Sequence, residues 1–262
     1  MHVIVCVKSV VKRASAEMLT PDGRLIRTAL ASELNPYDRP ALETALRLTE
    51  ERGGSVTALS MGPDVARETL YEALALGVDR AVLLCDKALA GSDTLATSFA
   101  LAAAINKLAP FDLVIFGART ADSDTGQVGP QTAVLLGLPL VTFTSSIKIN
   151  ESGLEVERRA DGFRELFAVE LPAALTIHPA AVMPRDAPLA GIEAAYTTGR
   201  IETLSCRDLD LEAGRIGEAG SPTRVISLRQ VTIERKCELI AGTVEEQAEE
   251  LVQRLVDMGL IG

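Results

Sequence analysis

Tryptophan is absent from this 262-residue chain, and aromatic residues make up only 3% of it. The interior must therefore be aliphatic, and 47% apolar content is ample for a sizeable core and too high for disorder. Cysteine is scarce: Cys6, Cys85, Cys206 and Cys237 stand far apart and form no CxxC pair. That spacing points to reduced thiols and to no metal. Histidine is scarcer still: His2 sits at the terminus and His178 follows an apolar run, a structural setting rather than a catalytic one. Neither GxGxxG nor GxxxxGKS/T occurs, and no GxSxG elbow is present. Carboxylates are plentiful but stand in no recognisable acid/base context. Self-contained hydrolytic or covalent chemistry is disfavoured, which leaves a protein that holds a cofactor able to do chemistry. The apolar segment 3–7 is too short for a signal peptide or a membrane span, so a cytoplasmic protein is expected. A net charge of −10 opposes binding to nucleic acid or anionic membranes.

The chain is organised around residues 113–129, LVIFGARTADSDTGQVG. Residues 113–116 read as a buried parallel strand that Gly117 ends. A polar loop follows, and Thr125-Gly126-Gln127 leads into a helix to about Leu136. Open α/β sheets bind ligands in such a loop, where free amides and the helix dipole favour an anion. Asp122 and Asp124 lie in the same loop and would repel a phosphate beside them. They suit ribose hydroxyls or helix capping. A nucleotide site and a plain capped turn both remain open on these residues alone.

Further strands are read at 3–7, 55–61 and 80–85, and helices after Asn35, at 64–76 and at 94–108. Asn35 is the expected N-cap of the first helix, with Pro36 as its first residue. Ser92-Asp93 cap the third helix, and Gly77 stops the second. Pro21-Asp22-Gly23 reads as a turn. Strands alternating with helices imply βαβ units and a parallel sheet with right-handed crossovers. The ends of the strands at 6–8, 60–62 and 117 then share one carboxyl edge. Short charged strands at 147–150, 154–159 and 163–169 read as an antiparallel insert, and 172–177 as a return to the core. Residues 178–190 form a proline-rich loop. Thr243 and Glu246 form a capping box for a last helix reaching about Met258.

These residues resemble a known family. VCVKSV (5–10), LNPYDRPALETAL (34–46), SMGP (60–63), EALALGVDRAVLL (72–84), GARTADSDTGQVGPQTA (117–133) and MPRDAPLAGI (183–192) are similar, in order and spacing, to the beta subunit of electron transfer flavoproteins. The resemblance implies an open, mostly parallel Rossmann-like α/β sheet with an antiparallel insert. Residues 1–195 would be the nucleotide-binding domain, with the insert at 147–169 and a partner recognition loop at 184–194. Residues 196–262 would be a C-terminal arm packing on an alpha subunit that carries its own FAD.

The resemblance also implies that Cys6, Val7 and Lys8 line a nucleotide pocket, that Asn35 faces the adenosine or phosphate, and that Met61 and Gly62 lie on the adenine side. Thr120, Asp122, Asp124, Thr125, Gln127, Val128 and Gly129 would wrap ribose and phosphates. No residue need be a catalytic acid or base. Leu189 matches the anchor that docks a dehydrogenase. DTGQVGP at 124–130 and GSPT at 220–223 resemble the electron-bifurcating group, in which the beta subunit binds FAD that accepts hydride from NADH. Electrons then pass to the alpha flavin, to ferredoxin or flavodoxin, and to an acyl-CoA dehydrogenase-type partner. Ser123, Gly126 and Asp186 depart from the usual pattern. The alternatives are a conventional beta subunit holding structural AMP, and a stand-alone nucleotide-binding α/β protein without redox role.

Overall fold

The computed structural model describes residues 1–11, 32–150, 153–226 and 237–261. It divides into two units, Met1–Ser227 and Leu228–Gly262. The turn expected at 21–23 lies outside the described residues, as do Glu151 and Ser152.

The first unit begins with β1 (His2–Cys6), β2 (Ser9–Val11), β3 (Ser32–Leu34), α1 (Arg39–Arg52), β4 (Ser55–Met61), α2 (Arg67–Ala75) and β5 (Arg80–Leu84). It continues with α3 (Thr94–Lys107), β6 (Leu113–Gly117), α4 (Val128–Leu136), β7 (Leu140–Asn150), β8 (Gly153–Ala160) and β9 (Phe163–Val169). It closes with β10 (Ala173–Ile177), α5 (Leu189–Thr197) and β11 (Ile201–Leu204). Nine strands form one sheet in the order β11-β5-β4-β1-β6-β10-β7-β8-β9. Neighbours from β11 to β7 pair in parallel, and β8 and β9 extend the sheet antiparallel. The expected α/β class with a mostly parallel sheet is therefore the observed one.

The strands are apolar on both faces because helices cover both. Val3, Val5, Ala58, Leu83 and Ile115 pack with Leu42, Ala45, Leu70 and Ala73 of α1 and α2. The alternate residues Ile4, Cys6, Leu59, Val82 and Val114 pack with Leu101, Ala104 and Ala133 of α3 and α4. This is the period of two expected of a strand buried on both sides. Each such Leu or Ile, removed from water, contributes about 1.5–3 kcal/mol.

Several local readings need correction. The first helix starts at Arg39, not Pro36, and it is Pro40 that occupies its first turn. Residues 35–38 form a turn in which the Asp38 N–H donates to Asn35 O at 2.9 Å. Asn35 is no N-cap, because its side chain is spent elsewhere. The insert does not begin at 147. β7 starts at Leu140, where it pairs with β10 before continuing against β8. Phe143, at φ 52, lies in the irregularity that shifts the β7–β10 register between Val141 and Thr144. Residues 189–194, read as part of a recognition loop, belong to helix α5. Residues 201–204 pair with β5, and the first unit runs on past 195 to Ser227.

In the second unit, α6 (Val244–Asp257) has the expected capping box: Thr243 accepts from the Glu246 N–H, and the Glu246 carboxylate accepts from the Thr243 N–H at 2.7 Å. Val244, Leu251, Val252 and Val256 are exposed on this helix.

Candidate functional site

β1 lies between β4 and β6: the chain runs from β1 to β4 and β5 on one side, then crosses back to β6 on the other, so the strand order reverses at β1. The crevice outside the carboxyl ends of such strands is where open α/β sheets receive ligands. Cys6, Val7 and Lys8 end β1, with Cys6 and Val7 buried and the Lys8 side chain reaching outward. Met61 and Gly62 end β4, and the loop 118–127 follows β6. A small cleft between the first two of these ends is lined by Lys8, Val10, Met61, Gly62, Pro63 and Asp122.

The loop is tied down by residues distant in sequence. Lys8 Nζ reaches Asp122 Oδ1 at 2.7 Å and Ser123 Oγ at 3.4 Å. Thr120 and Ser123 hydroxyls bond each other at 2.8 Å. Asn35, fully buried, donates to the Arg119 carbonyl at 2.9 Å and accepts from the Ala121 N–H at 3.1 Å. Asp124 takes φ 50, with Arg119 Nε 3.4 Å from its carboxylate. The Arg119 guanidinium in turn covers the Tyr37 ring at 4.7 Å.

Thr125 and Gln127 are exposed or nearly so, and Gly126 adopts φ 62, a conformation only glycine takes readily. Gly129 is buried: a Cβ there would stand 3.1 Å from both Phe116 Cγ and Thr176 Cγ2. α4 is thereby drawn onto the sheet with its amino end at the crevice. No side chain caps that end and no acid lies in its first turn. Val128 and Gly129 amides are the orphan donors of a helix start, the geometry that receives an anion. Ser98 of α3 fixes this turn from behind, donating to Val128 O at 3.1 Å.

Charges at the crevice are set by burial and pairing. Burial alone would push the Asp122 carboxyl up, but the Lys8 ammonium and the Thr120 and Ser123 hydroxyls hold it below the usual range. Asp122 therefore balances Lys8 and does not repel an anion as a bare charge would. Burial, and then the charge of Asp38, push the Cys6 thiol far up, so it is no nucleophile. Asp38 and Gly117 were not among the site residues expected from sequence. Yet a Cβ on Gly117 would stand 2.2 Å from Asp38 Oδ1 and 2.6 Å from Tyr37 O. The only sequence signal was a glycine ending a strand, which is common.

Leu189 lies elsewhere, at the start of α5, and is 82% exposed. The loop before it is clamped to α1 by Arg185. That guanidinium bonds Glu43 Oε2 at 2.8 Å and Glu50 Oε1 at 2.6 Å, and the Arg185 N–H also donates to Glu43 at 3.1 Å. α5 itself rests on α2, with Tyr196 stacked on Tyr71 at 4.9 Å.

A family model described as "Electron transfer flavoprotein domain" matches residues 22–207. The chain belongs to the electron transfer flavoprotein family. It is 39% identical, over 97% of its length and 98% of the relative's, to the electron transfer flavoprotein subunit beta of Thermoanaerobacterium thermosaccharolyticum. It is 38% identical to the caffeyl-CoA reductase-Etf complex subunit CarD of Acetobacterium woodii, and 37% identical to the acryloyl-CoA reductase electron transfer subunit gamma of Anaerotignum propionicum. Both of those matches cover 100% of each chain. The relation is to electron transfer flavoprotein beta subunits along their whole length, and a beta subunit implies an alpha subunit as partner. Among the described residues, no helix is long and apolar enough to cross a membrane.

Proposed function

We propose that this chain is the cytoplasmic beta subunit of an electron-bifurcating flavoprotein heterodimer and that it binds FAD in the crevice at β1 and β6. The single observation that carries the reading is the uncapped, acid-free start of α4 behind Gly126 and Gly129. A diphosphate suits that donor pair, and the small residues leave room for a ligand longer than a monophosphate. The relatives named for caffeyl-CoA and acryloyl-CoA reductase complexes support a link to an acyl-CoA dehydrogenase-type partner.

In this reading the Val128 and Gly129 amides hold the phosphates and Lys8 sets the charge at the crevice mouth. Asp122, Asp124 and Thr120 hold ribose hydroxyls, and Met61 and Gly62 border the adenine. Cys6, Val7 and Asn35 shape the floor, while Thr125 and Gln127 flank the phosphates. When bound, FAD supplies acceptance of hydride from NADH and electron transfer to the alpha subunit's FAD and to ferredoxin or flavodoxin. The chain positions and encloses; none of its residues moves a proton in the reaction. Leu189, at the start of α5 after a loop that Pro188 stiffens and Arg185 holds, docks the dehydrogenase as a preorganised apolar anchor.

One feature favours structural AMP instead. The Lys8–Asp122 pair closes across the crevice at 2.7 Å, which suits a compact ligand. Chromatography of nucleotides released from the denatured alpha–beta pair decides. Two FAD per pair and no AMP supports the reading, whereas one FAD and one AMP overturns it and leaves a structural nucleotide and a docking surface.

A further inference from the structure

Asp38 is 4% exposed at the floor of the crevice, and both of its oxygens are engaged. Oδ2 accepts from the Lys8 N–H at 2.7 Å and Oδ1 accepts from Asn35 Nδ2 at 2.8 Å. Asn35 is itself fully buried and carries the connection onward, to Arg119 O and from the Ala121 N–H. One carboxylate thus joins the end of β1, the turn 35–38 and the loop after β6. The turn is pressed against β6 so closely that Gly117 has no space for a Cβ. Through this linkage the first half of loop 118–127 is fixed, while its second half runs to the start of α4.

We propose that Asp38, acting through Asn35, is a positioning residue that holds loop 118–127 in its nucleotide-receiving conformation. The inference rests on the nucleotide reading of the crevice given above. The ionised carboxylate is the form that matches the geometry, because it offers an acceptor to both donors. A proton on either oxygen, or an amide in its place, faces one of those donors with hydrogen. Burial pushes the Asp38 carboxyl up, against the hydrogen bonds from Lys8 and Asn35, to about 7. The charged groups that act on it are Lys8, which favours the ion, and Asp122, which opposes it, with the Cys6 thiol neutral beside it. The clamp therefore loosens as pH falls through neutrality.

The test uses the intact alpha–beta heterodimer, stripped of nucleotide in the beta site and titrated calorimetrically with AMP and with FAD. Asp38→Asn should weaken binding about tenfold at about pH 8, the size of one lost charged hydrogen bond. The ratio of variant to wild-type Kd should shrink toward one near about pH 5.5, where the wild type is itself protonated. Taking the ratio cancels titration of the phosphate. Equal affinities at the higher pH would overturn the positioning role and leave the nucleotide site standing. A wild type that binds neither AMP nor FAD would overturn the nucleotide reading and this inference with it. Should Asp38→Asn not fold, amide exchange at Ala121 in the wild type replaces it. Protection that falls below neutrality supports the clamp, and protection independent of pH overturns it.

Discussion

Replacing Gly117 by alanine tests whether the crevice is built by contact between the turn 35–38 and the end of β6. The added Cβ would lie 2.2 Å from Asp38 Oδ1 and 2.6 Å from the Tyr37 carbonyl oxygen. Both are far inside van der Waals contact, and neither neighbour can turn away. The Asp38 oxygen is held by Asn35, and the Tyr37 oxygen is main chain. Overpacking of a tight site costs about 1–3 kcal/mol, and this clash belongs at the upper end. The loss of glycine's freedom in the unfolded chain returns about 0.4–1 kcal/mol. The net destabilisation is about 2 kcal/mol, or about 4–8 °C in melting temperature for a unit of this size. Differential scanning calorimetry of the heterodimer, with and without added nucleotide, reads it out. The nucleotide-dependent increment in melting temperature should also shrink, because the turn must back away from the loop. A variant that melts within about 1 °C of the wild type, with the increment intact, would refute the reasoning.

Glu43→Gln removes the charge that holds Arg185 and Arg47, and should cost about 1–2 kcal/mol while loosening the loop before Leu189. Burial opposes ionisation of Glu43, but its arginine partners hold its carboxyl below the ordinary value on balance. Its stabilisation is therefore present above the unfolded carboxylate range and is lost as pH falls through the lower folded value. The melting difference between variant and wild type should close in acid, as thermal scans at several pH values would show. Leu189→Ala should leave the heterodimer and its flavins intact and slow electron transfer at limiting dehydrogenase; unchanged stopped-flow kinetics would remove the anchor role. Thr243→Ala deletes the cap of α6 and should cost that helix about 1 kcal/mol, visible as faster amide exchange over its first turn with β1–β6 unaffected.

The α/β class and most element positions were legible in the sequence. Periodic apolar runs, glycines after helices and acids before them are local signals, and β4, α3, α4 and α6 came within a residue of their observed bounds. Segments whose state depends on a distant partner were not legible. The first half of β7, residues 140–144, is rich in strand-forming residues, but nothing local says that it pairs with β10 and runs on into the insert. β11 is a four-residue edge strand that exists by pairing with β5. α5 follows a proline-rich loop whose conformation is held by Glu43 and Glu50, more than a hundred residues earlier. Asn35 misled for a similar reason. Asn before Pro is a sound capping signal, but a loop 84 residues downstream takes the same side chain.

By itself the sequence determined what the chain can bury and where it must turn. Continuous aliphatic runs, separated by amphipathic stretches, point to a parallel sheet covered on both faces. A carboxyl edge carrying polar loops follows from the connections. Only the tertiary structure decided which loop residues meet. It set Lys8 on Asp122, buried Asp38 beneath both, and left the start of α4 without a cap. Periodicity is a property of neighbours along the chain, and burial energy reads it directly. The crevice is made of hydrogen bonds between segments that meet only when the strand order places β1 between β4 and β6.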